Sequence, residues 1–415
     1  MLETYFSAPK TLRRLRTGPS GPYIDGFAAR LAEHGYSPGT AIRYLRAATH
    51  LGHFLESRGV TFAEVDAGIA ETFRQHLPRC RCPSSNRGKV SHHTFFGVKR
   101  FHRYLVERGI CGSDPACIAA PDEPVFITGF RHWLEVHRGA ALSTRKHYCR
   151  GAHELLETLG DEPHRWEPQH VRAFFLGRST RYGAATIEHL VTAVRAFLRY
   201  LIAQSRCRAD LDQAVPRLAH WRLAALPPSL SSEQVEQVIA ACEGSAPGRI
   251  RDRAMILLLL RLGLRAGDVA RMSMADLDWD NATVKVSGKG RYQVSLPLPQ
   301  DVGNALLRYL ECRPRFVHTD KLFVSNIAPF GPFASSDAVS SVVKRVLARA
   351  GVHASAKGAH LLRHTAATEM LRQGVPLEQI GSVLRHRGVD TTAYYAKVDG
   401  GLLRQVVQPW PEVLR

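Results

Sequence analysis

Four short segments in the second half of the chain carry residue types that could act together on a phosphodiester. Arginine presents a planar, permanently charged fork that matches phosphate oxygens. Histidine and lysine can transfer protons, and a tyrosine hydroxyl becomes a nucleophile when its proton is drawn off. Each segment is weak evidence alone, and their order and spacing make them informative. The segments are Gly263-Leu-Arg265-Ala-Gly-Asp268, Gly288-Lys289-Gly290, His360-Leu-Leu-Arg363-His364 and Leu384-Arg-His386-Arg-Gly-Val-Asp-Thr-Thr-Ala-Tyr394-Tyr395.

Helices and one hairpin are predicted to position these segments. Gly263 breaks a strongly apolar helix just before Arg265, and two runs that alternate like strands flank the glycine-rich turn around Lys289. The predicted helices cover residues 252–262, 266–272, 301–312, 336–350, 359–373, 376–385 and 390–397, and the predicted strands cover 283–287 and 292–296.

The first half of the chain is predicted to be helical, and its pattern occurs twice. Ser37–Gly59 resembles Ser143–Gly160, and Phe101–Leu105 resembles Phe197–Leu201. We interpret this repetition as an internal duplication. Chance similarity between amphipathic helices is the alternative.

Two linkers divide the chain into three predicted domains. Residues 109–124 are rich in glycine, proline and small side chains, and a later linker contains Pro227 and Pro228, which favour an extended spacer. Ser231 and Gln234 then form a capping-box start for the next helix. The predicted fold class is mostly α, with helical modules over 20–115 and 125–222 and an α-rich domain over 229–415 that contains a small antiparallel hairpin or sheet.

The charge balance predicts a polyanionic partner. The 415 residues include 56 Lys plus Arg against 37 Asp plus Glu, which gives a net charge of +19. A surplus of this kind suits phosphate contacts, and a generally basic surface is the alternative. The 45% hydrophobic and 22% charged residues fit a globular protein and exclude wholesale disorder.

Membrane insertion and secretion are not expected. No stretch approaches the ~20 consecutive apolar residues that a membrane span needs. The best run, Met255–Leu260, is stopped by Arg261, and the N-terminal segment lacks the apolar centre of a secretory signal. We therefore expect a cytoplasmic protein.

Eight cysteines in a chain of this length do not predict a disulfide scaffold. Cys80 and Cys82 form a C-x-C that is followed by Cys111 and Cys117, whereas structural zinc sites usually contain tighter pairs such as C-x2-C. Reduced, partly buried thiols are the expectation, and metal binding by these four stays an open alternative. No metal and no cofactor is predicted.

Taken together, the four segments resemble the tyrosine recombinases, the family that includes phage integrases and the bacterial Xer proteins. The matching features are GLR at Gly263–Arg265, GKG around Lys289, H-x-x-R at His360–Arg363, and His386 followed nine residues later by Tyr395. The second helical module looks like the core-binding domain of that family. The resemblance implies a site-specific recombinase of double-stranded DNA that uses neither metal nor ATP.

The resemblance gives the basic residues two tasks. Arg265 and Arg363 would neutralise the negative charge that builds on the phosphate oxygens in the transition state. Lys289, on its hairpin, would donate a proton to the leaving 5′-oxygen. Lys285 and Arg291 are nearby competitors that are better suited to contacts with the DNA backbone. Surface ion pairs and a plain basic turn are the alternatives.

The histidines and one carboxylate have supporting or proton-transfer roles. His360 lies three residues before Arg363, hence on the same helix face, and could accept the tyrosine proton or bind a phosphate oxygen. By resemblance, His386 hydrogen-bonds a non-bridging oxygen, whereas His364 lies at another helical angle and is interpreted as structural. Asp268 would steady the active-site arginine and histidine, or simply pair with the first arginine.

Two adjacent tyrosines must be distinguished, because neighbours on a helix point about 100° apart. The family spacing selects Tyr395 as the nucleophile, which would form a 3′-phosphotyrosine and release a 5′-hydroxyl. Tyr394 is then expected to pack as an ordinary buried aromatic.

The C-terminal segment predicts how protomers assemble, and the N-terminal module indicates the kind of recombinase. Residues 402–415 are apolar enough to need a partner, and in this family the segment after the tyrosine often docks on a neighbouring protomer. Packing on its own domain is the alternative. Docking between protomers predicts a tetramer on two DNA sites, with accessory recombination proteins as further partners. The extra module before residue 115 suggests a mobile-element integrase.

Three other functions share part of this pattern. A type IB topoisomerase would use the same residue types to relax supercoils without exchanging strands. A metal-dependent nuclease or transposase needs clustered carboxylates, which do not accompany these motifs. A DNA-binding protein without catalysis would need the charge but not the tyrosine.

Overall fold

The computed structural model describes residues 1–65, 67–77, 80, 92–111, 124–218, 226–287, 293–314, 316–333, 335–386 and 388–398. Their contacts group the chain into two compact units, Met1–Thr49 with Arg222–Arg415, and His50–Trp221. The described residues are mostly helical and include one small antiparallel sheet, so the predicted fold class is confirmed. None of the described helices is long and apolar enough to cross a membrane.

The first half of the chain forms helices that match the predicted ones within a few residues. The described residues there also form short 3-10 helices at Leu2–Thr4, Phe62–Glu64, Pro163–Arg165 and Leu211–Ala214. The helices are α1 (Pro9–Thr17), α2 (Gly21–Glu33), α3 (Pro38–Glu56), α4 (Ala67–His76), α5 (His92–Glu107), α6 (Val125–Val136), α7 (Leu142–Leu159), α8 (Pro168–Ser179) and α9 (Ala184–Ala203).

The order of these elements repeats along the chain. Two helices, a 3-10 helix and two further helices occur from α2 to α5 and again from α6 to α9. In the second set, α9 buries apolar residues at helical spacing, and its Phe197 ring lies 5.1 Å from that of Phe130 on α6. Most of the linker over 109–124 lies outside the described residues.

The second half contains the remaining helices and the sheet. Ser231 caps the first of these helices together with Gln234, as the sequence predicts. The elements are α10 (Ser232–Ala240), α11 (Pro247–Arg261), α12 (Ala266–Arg271), β1 (Leu277–Asp278), β2 (Thr283–Ser287), β3 (Gln293–Pro297), α13 (Gln300–Cys312), α14 (Ser336–Arg349), α15 (Ala359–Arg372), α16 (Leu377–Leu384) and α17 (Val389–Ala396).

Helix α11 is the centre of this unit, because it is buried on almost all sides. It packs against α13, α14 and α15, which explains why its sequence is apolar all round rather than amphipathic. The helix begins at Pro247, five residues before the predicted start at Asp252. Proline fits the first turn of a helix, where its missing N–H has no partner to lose.

The sheet has the strand order β1-β2-β3, and all neighbours are antiparallel. Val284 pairs with Leu296, and Lys285 with Ser295, which fixes the hairpin that the alternation predicts. Strand β1 was not predicted, because two residues are too short to show a periodicity. The turn that carries Lys289 lies outside the described residues.

Helix α11 ends where the sequence predicts. Gly263 adopts φ +56°, a left-handed conformation that favours glycine. A Cβ at this position would lie 2.5 Å from Cδ2 of Leu384, so the site also has no room for a side chain. The turn therefore brings the end of α11 close to the end of α16.

Replacement of Gly263 by alanine should lower the free energy of unfolding by about 1–3 kcal/mol, because it adds backbone strain to a steric clash. Denaturant unfolding measures the change. The matched control is Gly303→Ala within α13 of the same unit, where the nearest neighbouring atom would be 3.7 Å away. That variant should be neutral or more stable by up to about 1 kcal/mol. Equal stability of the two variants would contradict this account of the turn.

Candidate active site

Two arginines that are distant in sequence converge at the C-terminal end of α16. Arg363, buried on α15, donates hydrogen bonds to the carbonyl oxygens of Gly263 and Leu384. Arg265, at the N-cap of α12, donates from Nη2 to the carbonyl oxygen of Arg385 at 2.9 Å. Because Leu384 and Arg385 are consecutive, adjacent carbonyls hold the two guanidinium groups side by side.

The carboxylate of Asp268 compensates part of this positive charge. It lies in the first turn of α12, where it accepts the backbone N–H of Arg265 at 3.2 Å. Its side-chain partners are Arg385 at 2.8 Å and Arg271 at 3.3 Å. Asp268 therefore contacts the backbone of Arg265, and it forms ion pairs with Arg385 and Arg271.

Positive charge still exceeds negative charge in this cluster. Arg265, Arg363 and Arg385 lie around one carboxylate, and the pKa of Arg363 falls to about 10 because of burial and the nearby Arg265 charge. A bound anion would relieve this repulsion. The cluster is therefore a cationic pocket suited to a phosphate group.

Sequence reasoning missed Arg385. Its backbone adopts φ 56° and ψ 50° at the C-cap of α16, a left-handed conformation that is strained for arginine. Its side chain is only 6% exposed, and its Nε and Nη1 atoms have no hydrogen-bond partner. In the sequence, the only feature that could have pointed to Arg385 is its position directly before the motif histidine His386. Hydrophobic periodicity does not distinguish this arginine from a surface residue.

Tyr395 lies beside the arginines with its hydroxyl turned inward. The side chain is 2% exposed and packs in a small cluster with Leu371, Ile380 and Leu384. Its ring is parallel to that of His386, with 6.2 Å between the centroids. Burial raises the pKa of the tyrosine to about 12, so this arrangement favours the neutral hydroxyl.

Tyr394 differs from the expectation. It is partly exposed, whereas its neighbour is the buried member of the pair. The physical reason is the position of α17, which packs on α15 and α16 so that the 395 side of the helix faces the apolar cluster. The expectation of an ordinary buried aromatic at Tyr394 is therefore wrong.

The histidine in contact with the Tyr395 hydroxyl is His364, which the sequence analysis interpreted as structural. Its Nδ1 lies 2.8 Å from that oxygen. His360 is one turn earlier on α15, exposed, with its ring 6.2 Å from that of His364. The His-x-x-Arg spacing indicates helix α15, which carries both histidines. Which of them contacts α17 depends on tertiary packing, and one sequence does not reveal it.

The imidazoles near the arginines are held in the neutral form. Burial, followed by the neighbouring positive charges, lowers the pKa of His364 and of His386 to about 4. The pKa of His360 is lowered as well, by partial burial and then by Arg363 and Arg265. His386 also has a positioning contact, because its Nδ1 lies 2.8 Å from the Thr392 hydroxyl. Neutral imidazoles can accept protons or hydrogen bonds.

Comparison with known proteins decides the family. A profile of the phage integrase family matches residues 228–400. The integrase/recombinase y4rF of Sinorhizobium fredii (strain NBRC 101917 / NGR234) is 33% identical over 434 residues, covering 99% of this chain and 96% of that protein. The chain belongs to the phage integrase family of tyrosine recombinases. It is therefore a site-specific recombinase, since enzymes of this family cleave and rejoin DNA strands, without metal or ATP.

Further relatives agree with this family and fold. The tyrosine recombinase XerD of Lacticaseibacillus casei is 26% identical to the recombinase over 275 residues, or 65% of this chain and 92% of that protein. A solved structure of the XerH recombinase bound to its difH substrate has a TM-score of 0.54 and 19% identity, covering 81% of this chain and 93% of that one. A lambda integrase (75–356) dimer bound to a core site has a TM-score of 0.51 and 18% identity, covering 69% and 98%.

The lowered histidine pKa values predict how the stability of the recombinase depends on pH. A pKa of about 4 in the fold lies below the ordinary value of 6.5, so His364 and His386 stabilise the fold fully above pH 6.5. This contribution should be lost progressively as the pH falls from 6.5 towards 4. Urea unfolding at several pH values measures it.

The variant His364→Gln removes one of these groups and should flatten the decline in that pH range. The matched control is His353→Gln, at an exposed position of the same unit, which should keep the wild-type slope. If His364→Gln also keeps the wild-type slope, the buried neutral imidazole is not a source of the pH dependence.

Proposed function

We propose that this recombinase cleaves DNA through Tyr395, forming a 3′-phosphotyrosine and a free 5′-hydroxyl. The 5′-hydroxyl of a partner strand then attacks the phosphotyrosine and restores a phosphodiester. The observation that carries the proposal is the convergence of Arg265 and Arg363 on adjacent carbonyl oxygens beside this tyrosine.

The proposed roles follow from charge and position. Arg265 and Arg363 stabilise the pentacoordinate phosphorus, and His386 donates a hydrogen bond to a non-bridging oxygen. His360 binds a phosphate oxygen or accepts a proton at the exposed edge of the pocket. Lys289 protonates the leaving 5′-oxygen, although its position lies outside the described residues and rests on the sequence motif alone.

The described arrangement corresponds to a resting form. A tyrosine that is 2% exposed, with a pKa near 12, is a weak nucleophile and cannot reach a phosphate. Cleavage therefore requires its hydroxyl to leave His364 and enter the cationic pocket. The positive charge of Arg363 favours loss of the tyrosine proton, and the hydroxyl can attack phosphorus only where a phosphate is bound to the arginines, which couples attack to substrate binding.

The nucleophile can be tested with a nicked suicide duplex, whose cleaved end diffuses away and traps the covalent adduct. The target sequence comes from mapping covalently tagged DNA ends in cells. Wild-type protein should form a denaturant-resistant adduct, and Tyr395→Phe should reduce it by about a thousandfold or more. Tyr394→Phe is the matched control and should retain the adduct. The reverse pattern would assign the chemistry to Tyr394.

We also propose that Arg385 adds a third cation to the pocket. Its unpartnered Nε and Nη1 atoms are buried beside the two motif arginines, and a phosphate oxygen would satisfy one of them. The ion pair with Asp268 fixes its side chain and thereby the carbonyl that holds Arg265.

Arg385→Gly relieves the left-handed backbone, which offsets part of the cost of removing the buried partner of Asp268, and should slow single-turnover cleavage by roughly tenfold or more even where the variant stays folded. Arg271→Ala removes the exposed partner of the same carboxylate, with a side chain that is 67% exposed, and should change cleavage little. If Arg385→Gly cleaves at the wild-type rate, the residue has only a structural role.

The rest of the chain is proposed to hold duplex DNA. The domain over 125–222 and the catalytic domain over 229–415 would clamp it, with the module over 20–115 as a degenerate duplicate of the former. The repeated element order and the net charge of +19 support this proposal, as do the relatives solved with DNA. Exchange of the tail between protomers would give a tetramer on two DNA sites, to which accessory recombination proteins could add.

Strand transfer between two differently marked sites tests exchange against the simple relaxation that a topoisomerase performs. Sedimentation of the protein with two-site DNA tests the tetramer, and a monomer on cleaved DNA would reject it.

The full-length similarity to y4rF, an integrase/recombinase, supports a mobile element as the carrier of this gene. Mapping the joined DNA ends would show whether the gene moves with them.

A further inference from the structure

Three potential metal ligands meet within the unit His50–Trp221, and none of them belongs to the recombinase motifs. The ligand atoms of His50, His76 and Cys80 all lie within 4.8 Å of one another. His50 Nε2 is 3.0 Å from Cys80 Sγ. The three residues come from separate places, namely the middle of α3, the end of α4 and the segment that follows α4.

The surroundings of the trio hold the ligands in place. The ring of Phe54 lies 5.0 Å from that of His76, and the ring of Phe73 lies 5.1 Å from that of His50. His50 is 5% exposed, so solvent does not compete strongly for its nitrogen. An apolar wall around nitrogen and sulfur donors is typical of a structural metal site.

Metal binding requires each of the three ligands in its unprotonated form. Neutral imidazoles have the lone pair that a metal ion requires. The thiol of Cys80 would lose its proton on binding, because the thiolate is the ligand.

The donor set points to zinc. Two imidazole nitrogens and one thiolate match a borderline-soft ion that prefers four tetrahedral ligands, with bond lengths of about 2.0 Å to nitrogen and 2.3 Å to sulfur. Such bonds place ligand atoms roughly 3.3–3.8 Å apart, which the trio reaches by small side-chain rotations. Hard cations such as calcium and magnesium prefer oxygen ligands instead.

We propose that His50, His76 and Cys80 bind a zinc ion that joins α3 to the end of α4. Cysteine spacing does not reveal this site, because two of its three ligands are histidines on separate helices. The role is structural and separate from strand cleavage.

Zinc content of the full-length protein tests the proposal. Protein purified without chelators should contain about one zinc per chain by elemental mass spectrometry. Cys80→Ser and His50→Asn should lose most of it. The matched control is Cys207→Ser, a half-buried thiol of the same unit, which should retain the zinc. Equal zinc content in wild type and Cys80→Ser would overturn the proposal.

Cobalt(II) added to metal-free wild-type protein keeps the test valid even where a variant fails to fold. A tetrahedral site with a thiolate should give a sulfur-to-cobalt charge-transfer band and intense visible bands, which one equivalent of zinc removes. The melting temperature should rise on zinc addition, because only the fold binds the ion. Absence of these bands and of the thermal shift would show that the trio is only a hydrogen-bonded cluster.

Discussion

The proposed active site depends on holding two like charges next to each other. Guanidinium groups repel, and burial strengthens that repulsion. Here the carbonyl oxygens of Gly263, Leu384 and Arg385 accept their hydrogen bonds, and Asp268 supplies a negative charge. Backbone dipoles thus keep the pocket assembled while leaving it positive. The need for these carbonyl acceptors explains why the ends of α11 and α16 meet. Each end has a residue in the left-handed conformation, Gly263 and Arg385.

Much of the fold was predictable, because the helices follow regular apolar spacing and end at glycines. Motif spacing identified α15 and α17 as the helices that carry the site, but not which side chains would meet. His364 contacts Tyr395, and Tyr394 is only partly buried, since the packing of α17 on α15 and α16 sets both environments. No pattern in the sequence singles out Arg385. Local periodicity predicts where helices form, but it does not predict which of their faces meet in the fold.

The first half of the chain shows how a repeated helical plan can diverge. Both sets of helices keep the same order and similar lengths, which indicates that the arrangement itself is what the core requires. Polar residues at equivalent positions differ, as His50 and Glu154 illustrate. If the two sets are copies of one scaffold, as proposed, their polar positions can differ while their apolar positions stay under the same packing constraint.

The inward hydroxyl of Tyr395 has a consequence for the safety of the host chromosome. A protein with +19 net charge meets DNA far more often than it meets its own site. If Tyr395 is the nucleophile, as proposed, its burial on the eight-residue helix α17 would leave the duplex uncut in casual encounters. Exposing it would require α17 to separate from the apolar cluster of Leu371, Ile380 and Leu384, so cutting would be tied to whatever assembly supplies that free energy.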